Sequence, residues 1–136
     1  KLCIRIKRVD EMSNLKYKRD KTTRDYSRIQ EEKVADLVGG RVVKGSGSGM
    51  FAKGDVVSPE ALYECKTKTK PSKSHSLKKE WFDKVRKEAL FKGKEFAIIA
   101  FDYGDSGDQY FAMHQKDFLQ LLACYRELQE LINDED

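Results

Sequence analysis

The sequence contains no apolar run that approaches the roughly 20 residues of a membrane-spanning helix. No secretory signal peptide with a small-residue cleavage site is visible either. The three cysteines, Cys3, Cys65 and Cys124, are odd in number, far apart and without a C-x-x-C pair, which argues against a disulfide framework or a zinc knuckle. We therefore expect a soluble protein in a reducing cytoplasm, without membrane contact, with Cys65 as a small core residue.

Several common catalytic motifs are also missing. His75 and His114 stand alone, so no Ser/His/Asp or Cys/His set can be assembled from the spacing. The glycine-rich segment 45–49 lacks the G-x-x-x-x-G-K-[ST] spacing of a Walker loop, which argues against ATP binding. We interpret His114 as structural, because it closes a predicted strand. His75 lies among hydroxyls and lysines and is a candidate phosphate contact.

The chain is 136 residues long, with 37% charged and 39% hydrophobic residues, which is typical of one soluble domain with one core. We expect residues 1–23 to form a basic N-terminal arm or an edge strand, because the segment 2–6 alternates apolar and polar residues. Residues 24–136 are expected to form a single domain. No internal repeat is apparent.

The pattern of residues 24–136 predicts a helix, three strands, a helix, two strands and a final helix. The first helix should begin at Asp25 or Ser27 and end at Val38, and the second should begin at Ser76. This order indicates an α/β fold with a central mixed sheet flanked by helices. We expect the final helix, from residue 117 to about 132, to turn one apolar face inward, formed by Phe118, Leu121, Leu122, Tyr125, Leu128 and Ile132.

A cluster of two acids and a lysine follows the glycine-rich segment. Glu64 and Lys66 are two positions apart on a predicted strand, so their side chains project from the same face. Asp55, on the neighbouring predicted strand, can reach that face. Two converging carboxylates repel each other unless a cation lies between them. The pattern therefore predicts a magnesium site, with the lysine directed at a water or a phosphate.

Glu31 is a fourth candidate for this site. It precedes Val34 by three residues and Val38 by seven, which places it on the inward face of the first helix. Glu32 falls on the opposite side. A carboxylate on a buried face is explained if a metal site lies nearby, whereas the alternative is that both glutamates are surface charges.

Asp55 followed nine residues later by Glu64-x-Lys66 resembles the core of PD-(D/E)xK nucleases, with Gly54 in the place of the motif's proline. The preceding helix with its glutamate, the short strand and the Gly-Ser loop occur in the same order in archaeal-type Holliday-junction resolvases and related phage proteins. The resemblance covers about residues 24–101. It implies the restriction-endonuclease-like fold, and for a phage protein the relevant compartment is the host cytoplasm.

The resemblance also implies roles for individual residues. Asp55 and Glu64 would hold one or two Mg²⁺ ions, with Mn²⁺ as a substitute, and Glu31 would complete the ligand shell. The backbone carbonyl of Tyr63 or Cys65 would be a further metal ligand. The family's active-site serine corresponds to Ser48 rather than Ser46. Resolvases of this kind act as homodimers, but the sequence does not indicate the dimer surface.

Basic residues are unevenly distributed. Residues 1–24 contain nine Lys or Arg against three acids, and residues 66–79 contain six lysines and no acid. Such a basic surface beside a metal site favours a polyanion such as DNA, although lysines also simply solvate exposed faces. The candidate DNA contacts are Lys44, Ser46, Ser48, Lys53, Lys68, Lys70, Lys73, His75 and Lys78.

Together these patterns predict a metal-dependent endonuclease that hydrolyses DNA phosphodiester bonds, with a four-way junction as the expected substrate. One alternative is another nuclease on the same core, a nicking, repair or homing enzyme that cuts ordinary duplex or flap DNA. The other is a nucleic-acid-binding module without activity.

Overall fold

The computed structural model describes residues 20–44, 54–104 and 107–135. They form eight elements in the predicted order of helices and strands, so the fold is α/β. The predicted strand in segment 2–6 lies outside the described residues, as do Ser46, Ser48 and Lys53. The elements are α1 (Thr23–Val38), β1 (Arg41–Val42), β2 (Val56–Val57), β3 (Ala61–Lys66), α2 (Lys79–Phe91), β4 (Phe96–Phe101), β5 (Tyr110–Met113) and α3 (Gln115–Asp134).

The strands form one five-stranded mixed sheet in the order β1-β2-β3-β4-β5. The first three strands are antiparallel neighbours. β3 and β4 are parallel, which requires a crossover connection, here supplied by α2. β5 returns antiparallel to β4. Residues 97–100 of β4 are buried, as expected for an apolar strand covered on both faces.

The sheet has a core on each face. α1 packs on one face, where Val34 contacts Val56, Tyr63 and other buried residues. α2 packs on the other, where Val85 and Ala89 join Leu62. Alternate residues of β3 enter opposite cores, as the period of a strand requires. The α2 face of β3 is also the face of Glu64 and Lys66.

α1 begins earlier than the sequence predicts. Thr22 is its N-cap and Asp25 is the third helical residue, and each side chain accepts a hydrogen bond from the other's backbone N–H. The prediction of Asp25 or Ser27 as the cap was wrong, because Asp25 is the partner in a capping box rather than the cap. The helix ends at Gly39, which has φ 65°. Leu37, in the last turn of the helix, is 40% exposed.

α2 begins at Lys79, so the prediction of Ser76 as its cap was also wrong. The preceding segment is tied to the end of β4, since the Ser72 N–H donates to the Tyr103 carbonyl at 2.8 Å. His75 Nδ1 lies 2.7 Å from the Asp102 carbonyl oxygen. These contacts keep the chain extended until Lys78.

The predicted inward face of the last helix is wrong for most of its members. Phe118, Leu121, Tyr125 and Leu128 are exposed, and Asp117 is the buried residue of α3. The apolar residues of α3 recur with the period of a helix, as predicted. The described parts of the chain, however, do not cover the apolar face that these residues form. No helix in these described ranges is both long and apolar enough to cross a membrane.

Candidate metal and nucleic-acid site

Asp55 is fixed at the start of β2 by the backbone on both sides. Its Oδ2 accepts a hydrogen bond of 2.7 Å from the Cys65 N–H. The Asp55 N–H donates to the Tyr63 carbonyl, and the Asp55 carbonyl accepts from Val43, both at 2.9 Å. The Asp55 carboxylate is therefore held at the backbone of Cys65, the residue between Glu64 and Lys66.

The residue before Asp55 must be glycine. Gly54 has φ 63°, a left-handed conformation that disfavours other residues, and an added Cβ would lie 2.7 Å from the Leu62 side chain. Proline, which fixes φ near −65°, cannot adopt this conformation. The presence of Gly54 where the PD-(D/E)xK motif has proline thus has a local structural reason.

Glu64 and Lys66 project from the same face of β3, as the period of a strand predicts. Lys66 Nζ lies 3.4 Å from Glu64 Oε1, and the Glu64 side chain is only 8% exposed. Lys66 Nζ also lies 4.5 Å from the centroid of the Trp81 ring. The indole ring and the carboxylate together define the position of the ammonium group.

α2 contributes a second lysine that the sequence analysis missed. Lys84 Nζ lies 3.7 Å from Glu64 Oε1 and 3.7 Å from Glu88 Oε1. Glu88 is buried, and its two carboxylate oxygens accept no hydrogen bond within the described ranges. Lys84 therefore compensates two buried carboxylates. The sequence does contain a signal for this arrangement, because Lys84 and Glu88 directly precede the core residues Val85 and Ala89.

Glu31 reaches the site from α1. Burial raises the pKa of its carboxyl from 4.5 to about 7, and the charges of Asp55 and Glu64 add to the increase. Burial, followed by Glu64, likewise raises the pKa of Asp55 from 3.8 to about 6, although the Cys65 N–H, Lys66 and Lys84 oppose this shift. Glu32 is exposed, as predicted. Glu31 on α1, Asp55 at the start of β2 and Glu64 on β3 thus interact electrostatically.

Glu31, Asp55 and Glu64 carry the oxygen ligands that a hard divalent cation prefers. Glu31 and Asp55, whose pKa values are raised, would gain most from a positive charge between them. Across residues 20–44, 54–104 and 107–135, no three His, Cys, Asp or Glu side chains are already gathered as a metal-binding group. Burial strongly raises the pKa of the Cys65 thiol, which keeps it a neutral core group rather than a thiolate ligand. The Cys65 carbonyl remains a predicted ligand.

A buried glutamine, also missed from the sequence, joins α1 to the ends of β3 and β4. Gln30 Nε2 lies within hydrogen-bonding distance of the Lys66 carbonyl (3.0 Å), the Ala100 carbonyl (3.2 Å) and Gln109 Oε1 (2.9 Å). Gln109 Nε2 in turn donates to the buried Asp102 at 2.9 Å. Since Gln30 adjoins Glu31, this network fixes α1 relative to the strand that carries Lys66.

A basic groove adjoins the carboxylates. It has a volume of about 590 Å³ and is lined by residues 67–72, His75, Ser76 and Trp81. Lys68 and Lys70 belong to its wall, whereas Lys73 and Lys78 are exposed nearby. His75 packs edge-on against Trp81 and Phe101, so one of its roles is structural. Trp81 both lines the groove and contacts Lys66 with its ring.

The remaining candidates lie elsewhere or outside the described residues. Lys44 is exposed two residues after β1. His114 caps α3, because its Nδ1 accepts a hydrogen bond from the Lys116 N–H at 3.0 Å, which agrees with a structural role.

No family model, curated protein or solved structure matches this chain.

Proposed function

We propose that this protein is a metal-dependent endodeoxyribonuclease of the PD-(D/E)xK type. The observation that carries the proposal is the Asp55 carboxylate held by the Cys65 N–H, beside Glu64 and Lys66 on one strand. Glu31 supplies a third interacting carboxylate from α1. A structural role alone does not account for Glu31 and Asp55, because burial and the repulsion of neighbouring carboxylates make both costly to ionise without a cation.

In the proposed site, Asp55, Glu64 and Glu31 would hold Mg²⁺, or Mn²⁺ in its place. The ion would lower the pKa of a bound water and neutralise charge on the phosphate. The water oxygen would form a bond to phosphorus and lose a proton to solvent, while one ester P–O bond breaks and the leaving oxygen takes up a proton. Lys66, held between Glu64 and Trp81, orients the water or stabilises the charge that builds on the phosphate.

We propose DNA as the substrate because the groove beside these carboxylates is basic. Lys68 and Lys70 at the groove, with Lys73 and Lys78 nearby, would follow a phosphate backbone. The expected substrate is branched, in particular the four-way junction, and this narrower proposal rests on the resemblance of the motif order. We further propose that the protein acts as a homodimer.

Cleavage of a labelled four-way junction and of a linear duplex with the same sequence tests the proposal. Each substrate is incubated with and without Mg²⁺, beside the Glu64→Gln variant. We expect Mg²⁺-dependent cleavage of the junction that the variant lacks. Equal cleavage of both substrates would favour a general nuclease on the same core. Binding of DNA without cleavage under any condition would favour an inactive binding module.

A further inference from the structure

α3 exposes an apolar surface that the described part of the chain leaves uncovered. The helix has 20 residues, so it is about 30 Å long. A contiguous exposed apolar face of this kind usually marks an interaction surface. Six large apolar side chains are 45–65% exposed, namely Phe118, Leu119, Leu121, Tyr125, Leu128 and Leu131.

The helix is attached to the domain by its first turn. The Asp117 carboxylate accepts a hydrogen bond of 3.0 Å from the Ala97 N–H of β4. His114 caps the same turn. The apolar residues begin directly after this anchor, so the domain fixes the start of the helix and leaves its apolar face available.

The spacing of the exposed residues is that of a helix that pairs with another helix. Residues 118, 121, 125, 128 and 132 are alternately three and four apart, and all are apolar. This is the a/d pattern by which two helices pack side chains into each other's surface. These five residues form a seam along the helix, and Leu122 widens this seam on one side. The pattern suits a helical partner better than a flat surface or an extended peptide.

We propose that this face binds α3 of a second copy of the chain, with the two helices antiparallel. The charges favour this arrangement. Residues 125–134 contain three acids and one arginine, whereas residues 115–124 contain one lysine and the buried Asp117. An antiparallel pair separates the two acidic ends by roughly 15 Å, which exceeds the screening length of about 8 Å at physiological salt. A parallel pair would place them side by side.

One register of the antiparallel pair covers four of the five seam positions, all except Ile132. With Phe118 opposite the partner's Leu128, Leu121 lies opposite the partner's Tyr125, and each contact occurs twice by symmetry. The register with Leu121 opposite the partner's Ile132 also covers four positions, with Phe118 opposite residue 135 beyond the end of the helix. It brings the two acidic ends closer together, so the charges favour the first register. The favoured register brings Gln115 near the partner's Gln129, on the flank of the seam. This dimer does not depend on the proposed nuclease activity.

The mass of the full chain in solution tests whether the face pairs. Light scattering at micromolar concentration should give twice the 15.7 kDa of one chain. Replacing Leu121 and Leu128 by Glu should give the monomer mass. The control, Gln120→Glu with Ala123→Glu, adds the same charge to exposed positions outside the seam and should remain dimeric. A monomeric wild type, or a dimer that the seam variant does not disrupt, would overturn the proposal.

Cross-linking tests the antiparallel direction. Chains with Cys3→Ser and Cys124→Ser receive either Gln115→Cys or Gln129→Cys and are treated with a short thiol cross-linker. We expect the mixture of the two variants to form cross-linked dimers far more readily than either variant alone. Cross-linking of each variant to itself, with no increase in the mixture, would show parallel helices and overturn the arrangement.

Discussion

At the scale of single residues, Asp55 and Lys66 each contact a neighbour that bears no charge, besides the ion pairs that Glu64 makes with Lys66 and Lys84. The Cys65 N–H holds Asp55, and the Trp81 ring holds Lys66. A hydrogen bond or a ring contact positions an ion without cancelling its charge. The charges therefore remain available for a metal or a phosphate.

Trp81 should matter for the rate of cleavage more than for DNA binding. Trp81→Leu removes the ring beneath Lys66, a contact that contributes about 1–2 kcal/mol when partly buried, so kcat should fall about tenfold with little change in KM. Trp81→Phe should recover part of the loss. The control is Phe82→Leu, which affects the same core cluster. Equal losses for Trp81→Leu and Phe82→Leu would mean that Trp81 only stabilises the fold.

Glu31 should make the metal-free protein less stable at high pH. Its folded pKa of about 7 exceeds its ordinary value of 4.5, so the folded state binds more protons between these values. The stabilisation is complete below the lower pKa and is lost as pH rises through the higher one. In EDTA, Glu31→Gln should therefore match the wild-type Tm near pH 5 and exceed it near pH 8.

Glu32→Gln is the control for this pH effect, because Glu32 is the exposed neighbour of Glu31. Its Tm should follow that of the wild type across the range. If the Tm difference between Glu31→Gln and the wild type is the same at pH 5 and pH 8, Glu31 does not lie among the other carboxylates.

At the scale of elements, α1 depends on a capping box that joins residues 22 and 25. Thr22→Ala removes the side chain that accepts the Asp25 N–H, and should lower the free energy of unfolding by about 1 kcal/mol. Thr23→Ala, at the next exposed position, is the control and should have a much smaller effect in urea denaturation. Equal effects of the two substitutions would contradict the assignment of the cap.

The elements differ in how far the sequence predicts them. The period of a strand predicts that Glu64 and Lys66 share a face, and the period of a helix predicts that Glu31 lies on the inward face. Both predictions succeed because they depend only on local geometry. Lys84 and Gln30 were missed, since the contacts that bring them to the site, with Glu64 and with the ends of β3 and β4, cross between elements. The exposed face of α3 was mispredicted because an apolar helical pattern shows that a face is covered, but not whether the same chain or another covers it.

At the scale of the whole molecule, the lysines of the groove should determine how DNA affinity depends on salt. Each phosphate neutralised by a lysine contributes just under one unit to the slope of log affinity against log salt concentration. Changing Lys68, Lys70 and Lys73 together to Ala should flatten the slope by about two to three units. An unchanged slope would show that these lysines only solvate the surface.

The central claim is that the carboxylates beside Lys66 form a metal-dependent nuclease centre. The most direct test measures cleavage and binding of a four-way junction in Mg²⁺ by the wild type, Asp55→Asn and Glu64→Gln. Glu80→Gln, at an exposed position of α2, is the control. Both site variants should lose about 100-fold or more in cleavage rate while binding the junction at least as tightly, because a negative charge near phosphate is removed. Cleavage at the wild-type rate by both site variants would contradict the claim.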